Sequence, residues 1–273
     1  LFMGGTALMA AASSYAVSFS FIDRRLARRR NFIFYTSIAL VFMLVASFTL
    51  FSGEVRSWIL LADASLTALI ALRKQRTTLL LHAALFTVAA ALSSGLLRLS
   101  LGALLGWESE LGNHHALPLA AVMLAAAACA SLRVGAFRGT WGPLARAPRT
   151  LCLALLVLGI SGIGTLLGGA VLAGDASGAR DAAILASLRT GLLAVVAVLL
   201  AWISAKSRFK EARWLVYPTL VLGGAELLLG DLRYGRSATM FISLVIYGSA
   251  LILAPRLLKR LASKSPSPTA SSG

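Results

Sequence analysis

Residues 28–54 read RRRNFIFYTSIALVFMLVASFTLFSGE. Between Arg30 and Glu54 no side chain carries a charge. As a helix, the apolar run 31–51 extends about 31 Å at 1.5 Å per residue, the thickness of a bilayer's hydrocarbon core, about 30 Å. Three arginines stand before it and a glutamate follows it, as expected where a span meets headgroups and water.

The same pattern recurs along the chain. Apolar runs occupy approximately 1–22, 31–51, 57–72, 77–97, 116–134, 150–173, 182–204, 214–230 and 238–254. The 273 residues are 58% hydrophobic and only 13% charged, with a mean hydropathy of +0.84. Ordinary globular domains are about 25% charged, and a water-soluble fold of this composition lacks the polar groups to cover itself. The short alternating segments of a β-barrel are missing. The expected fold is therefore all-α: a polytopic transmembrane helical bundle of about nine spans over residues 1–262, with the tail 263–273, SKSPSPTASSG, disordered. Runs three, eight and nine are short for a span. The segment LSLGALLGW, 99–107, either extends helix four or lies flat in the interface.

Basic residues alternate between gaps. Those after runs one, three, five, seven and nine hold twenty of the 26 Lys and Arg, beginning with Arg24, Arg25, Arg28, Arg29 and Arg30. The other gaps hold Arg56, Arg98, Arg180, Arg233 and Arg236, together with Glu54, Glu108, Glu110, Asp175, Asp181 and Asp231. The positive-inside rule puts the rich gaps in the cytoplasm, the N-terminus outside and the C-terminus inside. The net charge of +16 lies in short clusters at headgroup level, so the expected partner is the bilayer, anionic lipids included, and not nucleic acid. Trp58 and Trp107 fall at outer edges, and Trp141, Trp202 and Trp214 at inner edges. Leu1 already lies inside an apolar run, which leaves two readings: a trimmed start, or the C-terminal part of a longer chain.

Charge inside lipid is costly, so ionisable residues within the runs are the leading site candidates. They are Asp63, Arg189 and Glu226. Counted from the run ends, all three lie about 6–11 Å below the outer boundary, and an Arg189–Glu226 ion pair joined by Asp63 is expected. Its role is either a clamp between helices or a relay for protons, ions or an anion. Run six carries Gly159, Gly164 and Gly168, whose small size lets helix backbones approach closely, either within the bundle or across a homo-oligomer face. His82 is the one histidine inside a run and a candidate ligand, although a buried haem often takes two. His114 and His115, near Glu108 and Glu110, read as solvated loop residues. No metal and no cofactor is expected, and Cys129 and Cys152 read as small buried thiols.

Residues 214–260, WLVYPTLVLGGAELLLGDLRYGRSATMFISLVIYGSALILAPRLLKR, carry a Tyr217-Pro218 pair, an Asp231-Leu232-Arg233 loop with Gly235-Arg236, a Tyr247-Gly248 pair and a Pro255-Arg256 exit. In these features the stretch resembles the C-terminal end of large uncharacterised bacterial multi-pass membrane proteins. The resemblance implies a topology and a truncated N-terminus, and no reaction; the expected location is a bacterial cytoplasmic (inner) membrane. No GxSxG, HExxH or dinucleotide signature occurs. The leading functional expectation is thus a non-enzymatic structural, assembly or complex-subunit role, with other membrane subunits or a second copy as partners. The alternative is a small-solute or ion transporter using Asp63, Arg189 and Glu226.

Overall fold

A computed structural model describes residues 2–22, 29–106, 116–132, 146–172, 182–205, 210–234 and 236–262. Among these residues the chain is all-helical. In order come α1 (Phe2–Val17), continued by a π-helical turn Ser18–Ile22, α2 (Arg29–Leu50), α3 (Gly53–Lys74), α4 (Thr77–Ser93), α5 (Leu96–Leu105), α6 (Ala116–Ser131) and α7 (Ala147–Leu172). Then follow α8 (Ala182–Ala205), a 3-10 turn Lys210–Ala212, α9 (Arg213–Glu226), a π-helical turn Leu227–Asp231, the one-turn α10 (Leu232–Tyr234) and α11 (Ser237–Ala262). The tail 263–273, the acidic and histidine residues at 108–115, Trp107, Trp141 and many of the arginines used for orientation lie outside the described residues.

Each apolar run is helical in its described part, but the runs are not equivalent. Five helices are long and apolar enough to cross a membrane: α2, α3, α7, α8 and α11. The number becomes six if the bent pair α4 and α5 forms one span, while α6 is apolar but shorter. Runs three and nine are longer as helices than as hydropathy peaks. α3 reaches from Gly53 to Lys74 because Glu54 in its first turn and Arg73 and Lys74 in its last complement the helix dipole. Hydropathy stops at such charges, whereas the backbone hydrogen bonding does not. Run four ends early instead. Gly95 has φ +81°, a left-handed conformation that costs glycine little, and α5 begins as a separate helix there rather than extending α4.

The described chain forms two compact units. The first holds α1 to α4, α6 and α7 as far as Leu155; the second holds α5 from Leu97, the rest of α7 and α8 to α11. In the first, α1 packs on α2 and α3 on α4, with α6 against α3 and α4. The α4 face is built from Ala83, Ala84, Ala90 and Ala91, all fully or nearly fully buried, because small side chains allow the close backbone approach that holds helices together in lipid. Arg149 Nε donates to Ala130 O at 3.0 Å, satisfying a carbonyl in the last turn of α6. Cys129 and Cys152, both free and buried, meet between α6 and α7. In the second unit α8 is central, packed by α9 and α11.

Several buried threonines meet their hydrogen-bonding needs locally. Thr36, Thr87 and Thr165 each donate to the carbonyl four residues back, at 2.8 Å. These threonines therefore tolerate full burial without a partner on another helix.

Candidate functional site

The first unit contains a cavity of about 270 Å³ among α1, α2, α3 and α4. Its walls are almost wholly apolar, and Asp63 is the acidic residue among them. Asp63 sits ten residues beyond Gly53 in α3, or about 15 Å along the axis. It is therefore near the middle of α3. The shallower expectation counts from residue 57, where the apolar run begins, and omits the charged turn that α3 includes. Its Oδ2 is buried and accepts no hydrogen bond. The Thr67 hydroxyl, one turn further along the same helix, is engaged elsewhere: its Oγ1 donates to the Asp63 backbone carbonyl at 2.7 Å and lies 3.1 Å from Ala64 O.

Tyr15 of α1 faces the same cavity and lies within electrostatic range of Asp63. Its hydroxyl pairs with His82 Nδ1 at 3.4 Å. The two rings meet edge-on at 6.4 Å, and Phe19 stacks on Tyr15 at 6.2 Å. His82 is thus a buried second layer behind Tyr15. Among the described residues, no three His, Cys, Asp or Glu side chains gather where they could hold a metal ion.

Arg189 and Glu226 belong to the second unit, and Asp63 to the first. Arg189 lies in α8, within electrostatic range of Glu226 at the end of α9 and of Asp231 in the π-helical turn. No direct salt bridge joins Arg189 to either carboxylate among the described residues, and its buried Nε makes no hydrogen bond. The anchored member is Asp231, which is 0% exposed. Thr190 Oγ1 donates to its Oδ2 at 2.8 Å and Ser187 Oγ to its Oδ1 at 3.2 Å. Both donors lie on α8, on either side of the Leu188-Arg189 pair. By hydropathy Asp231 falls in an outer gap, because it follows Gly230 and precedes Leu232-Arg233. The π-helical turn ends on Asp231 and the chain stays helical into α10, which leaves the carboxylate buried against α8. The signal available in the sequence is the SLRT tetrad, 187–190, two hydroxyls and a guanidinium within one helical turn.

Glycines make room around this cluster. A Cβ on Gly106, whose φ is +75°, would stand 2.9 Å from Arg189 Nη1. Gly162 of α7 lies directly against the Ser100 backbone of α5. Gly164 and Gly168 face Leu192 and Leu188 of α8, and a Cβ added at either glycine would stand 2.8 Å from a methyl carbon of its leucine. Gly159 is buried. Gly223 and Gly224 accommodate Tyr247, whose hydroxyl donates to Leu220 O at 2.8 Å. Known protein families, curated proteins and solved structures contain no match to this chain.

Proposed function

We propose that the chain is a multi-pass protein of a bacterial cytoplasmic membrane that binds and carries a small solute through its first helical unit, with Asp63 as the charged group of the site. The observation that carries this reading is the buried Asp63 Oδ2, without a hydrogen-bond partner, in the wall of a cavity of about 270 Å³. A carboxylate kept inside a membrane helix for structure alone needs a partner, because an unpaired buried charge is strongly destabilising. An unpaired one beside a cavity is suited to a partner that arrives from outside. The nine-span topology, the N-out orientation and the bacterial membrane rest on the alternating basic gaps and on the likeness of residues 214–260.

A carrier must open its site to water on at least one side. Thr67→Cys, in the cavity wall, is expected to react with a small membrane-impermeant thiol reagent in proteoliposomes, while the buried native Cys129 and Cys152 stay silent. A scaffold predicts no reaction from either side.

The second unit supports a different role for its own charges. Asp231 is held by two hydroxyls of α8 beside Arg189, an arrangement suited to a clamp. A structural or complex-subunit role for the whole chain is the second reading, and native mass spectrometry of the protein from mild detergent would support it by finding a stoichiometric membrane partner.

A further inference from the structure

We infer that the Asp63 cavity takes a lipophilic organic monocation, an amine or quaternary ammonium carrying about one ring. This rests on the carrier reading for the site's purpose, but on separate observations for the ligand's chemistry. The first is charge. Asp63 contributes the acidic group, and among the described residues no lysine or arginine lines the cavity, so an anion meets repulsion and a monocation meets its counter-charge. The second is the missing coordination shell. Calcium and magnesium take six or more oxygen ligands. Among the described lining residues only Asp63, Tyr15 and Thr67 carry side-chain oxygens, too few for such a shell. The third is the wall. Tyr15, Phe19 and Phe86 present aromatic rings, Leu79 lines the cavity as a fully buried residue, and the exposed rim is apolar, formed by Leu8 and Leu66. Ring faces attract a cation that has shed its water, and an apolar rim admits a molecule whose charge is wrapped in hydrocarbon. The volume of about 270 Å³ suits an occupant of that size.

The test uses the full chain in nanodiscs with radiolabelled benzyltrimethylammonium, which neither donates hydrogen bonds nor titrates. Neopentylbenzene, its neutral carbon isostere, serves as competitor. The expected result is saturable binding that Asp63→Asn weakens by about tenfold or more, a loss of the size associated with a desolvated charge contact, with the neutral isostere a poor competitor. Ala12→Phe, at an exposed position in the cavity wall, leaves Asp63 in place and should abolish binding by filling the space. Equal competition by neopentylbenzene overturns the inference. So does undiminished binding in either variant, and so does absence of binding to the wild-type chain. The carrier reading fails separately: cation binding without aqueous reactivity of Thr67→Cys removes transport and keeps the cation site. Reactivity without cation binding does the reverse.

Discussion

Asp231 and Asp63 are both acidic residues inside the helical mass, and their surroundings assign them opposite work. Asp231 has two hydroxyl donors and a guanidinium nearby, so its carboxylate is part of what fixes α8 to the end of α9. Replacing it with alanine strands both hydroxyl donors and removes a nearby negative charge from Arg189, and should cost about 1–3 kcal/mol. Thr190→Val, which deletes the 2.8 Å donor, should cost about 1–3 kcal/mol. Combining Asp231→Ala with Arg189→Met should cost less than the sum of the two, by about 0.5–3 kcal/mol of coupling. Unfolding in detergent monitored by circular dichroism measures all three, and strict additivity would remove the clamp. Asp63, by contrast, has no hydrogen bond to lose at Oδ2, and Asp63→Asn should leave the unfolding temperature unchanged or raised.

Among elements, the contact of α7 with α5 is set by one missing side chain. Gly162 lies on the Ser100 backbone, which cannot yield as a flexible side chain would. Gly162→Ala should therefore destabilise by about 1–3 kcal/mol. Gly248→Ala in α11, where a Cβ meets nothing within 4 Å, should be neutral or stabilise by about 0.5–1 kcal/mol. The same unfolding experiment separates the two, and equal losses would deny α7 its close approach. The turn between α3 and α4 offers a second check. Gln75 has φ +50° and its backbone N–H caps Ala71 O. A β-branched residue is strained there, so Gln75→Val should lose about 1–2 kcal/mol. The glycines of run six are legible in sequence as packing residues. That Gly162 faces α5 is not, because residues 100 and 162 are distant in sequence and belong together only in the folded unit.

For the whole molecule, the first question is which helices cross the membrane. Five, or six with the bent pair, meet the requirement of length and composition, while the alternation of basic gaps argues for about nine. Single cysteines at the two ends of α3 address this directly. Ser52 and Gln75 are both exposed, and the native cysteines are buried. Ser52→Cys should label only from outside the cell and Gln75→Cys only after the cytoplasmic face is opened. Labelling of both from one side would overturn the orientation, and with it the assignment of the arginine clusters to the cytoplasm.

What the sequence determined by itself is the helical class and the position of nearly every helix. Both follow from local apolar runs about 20 residues long, which read the same whatever packs against them. It also singled out Asp63, Arg189 and Glu226, since a charge inside an apolar run is visible without a structure. Tertiary structure decided how those charges divide. It assigned Asp63 and Arg189 to different compact units, gave Asp63 a cavity instead of a partner, and brought in Asp231 at the end of a π-helical turn, where the apolar run stops. The physical reason is range. Helix formation and lipid solubility are summed over neighbours in sequence, whereas the partner of a buried charge is chosen by which helices touch, and no local pattern encodes that choice.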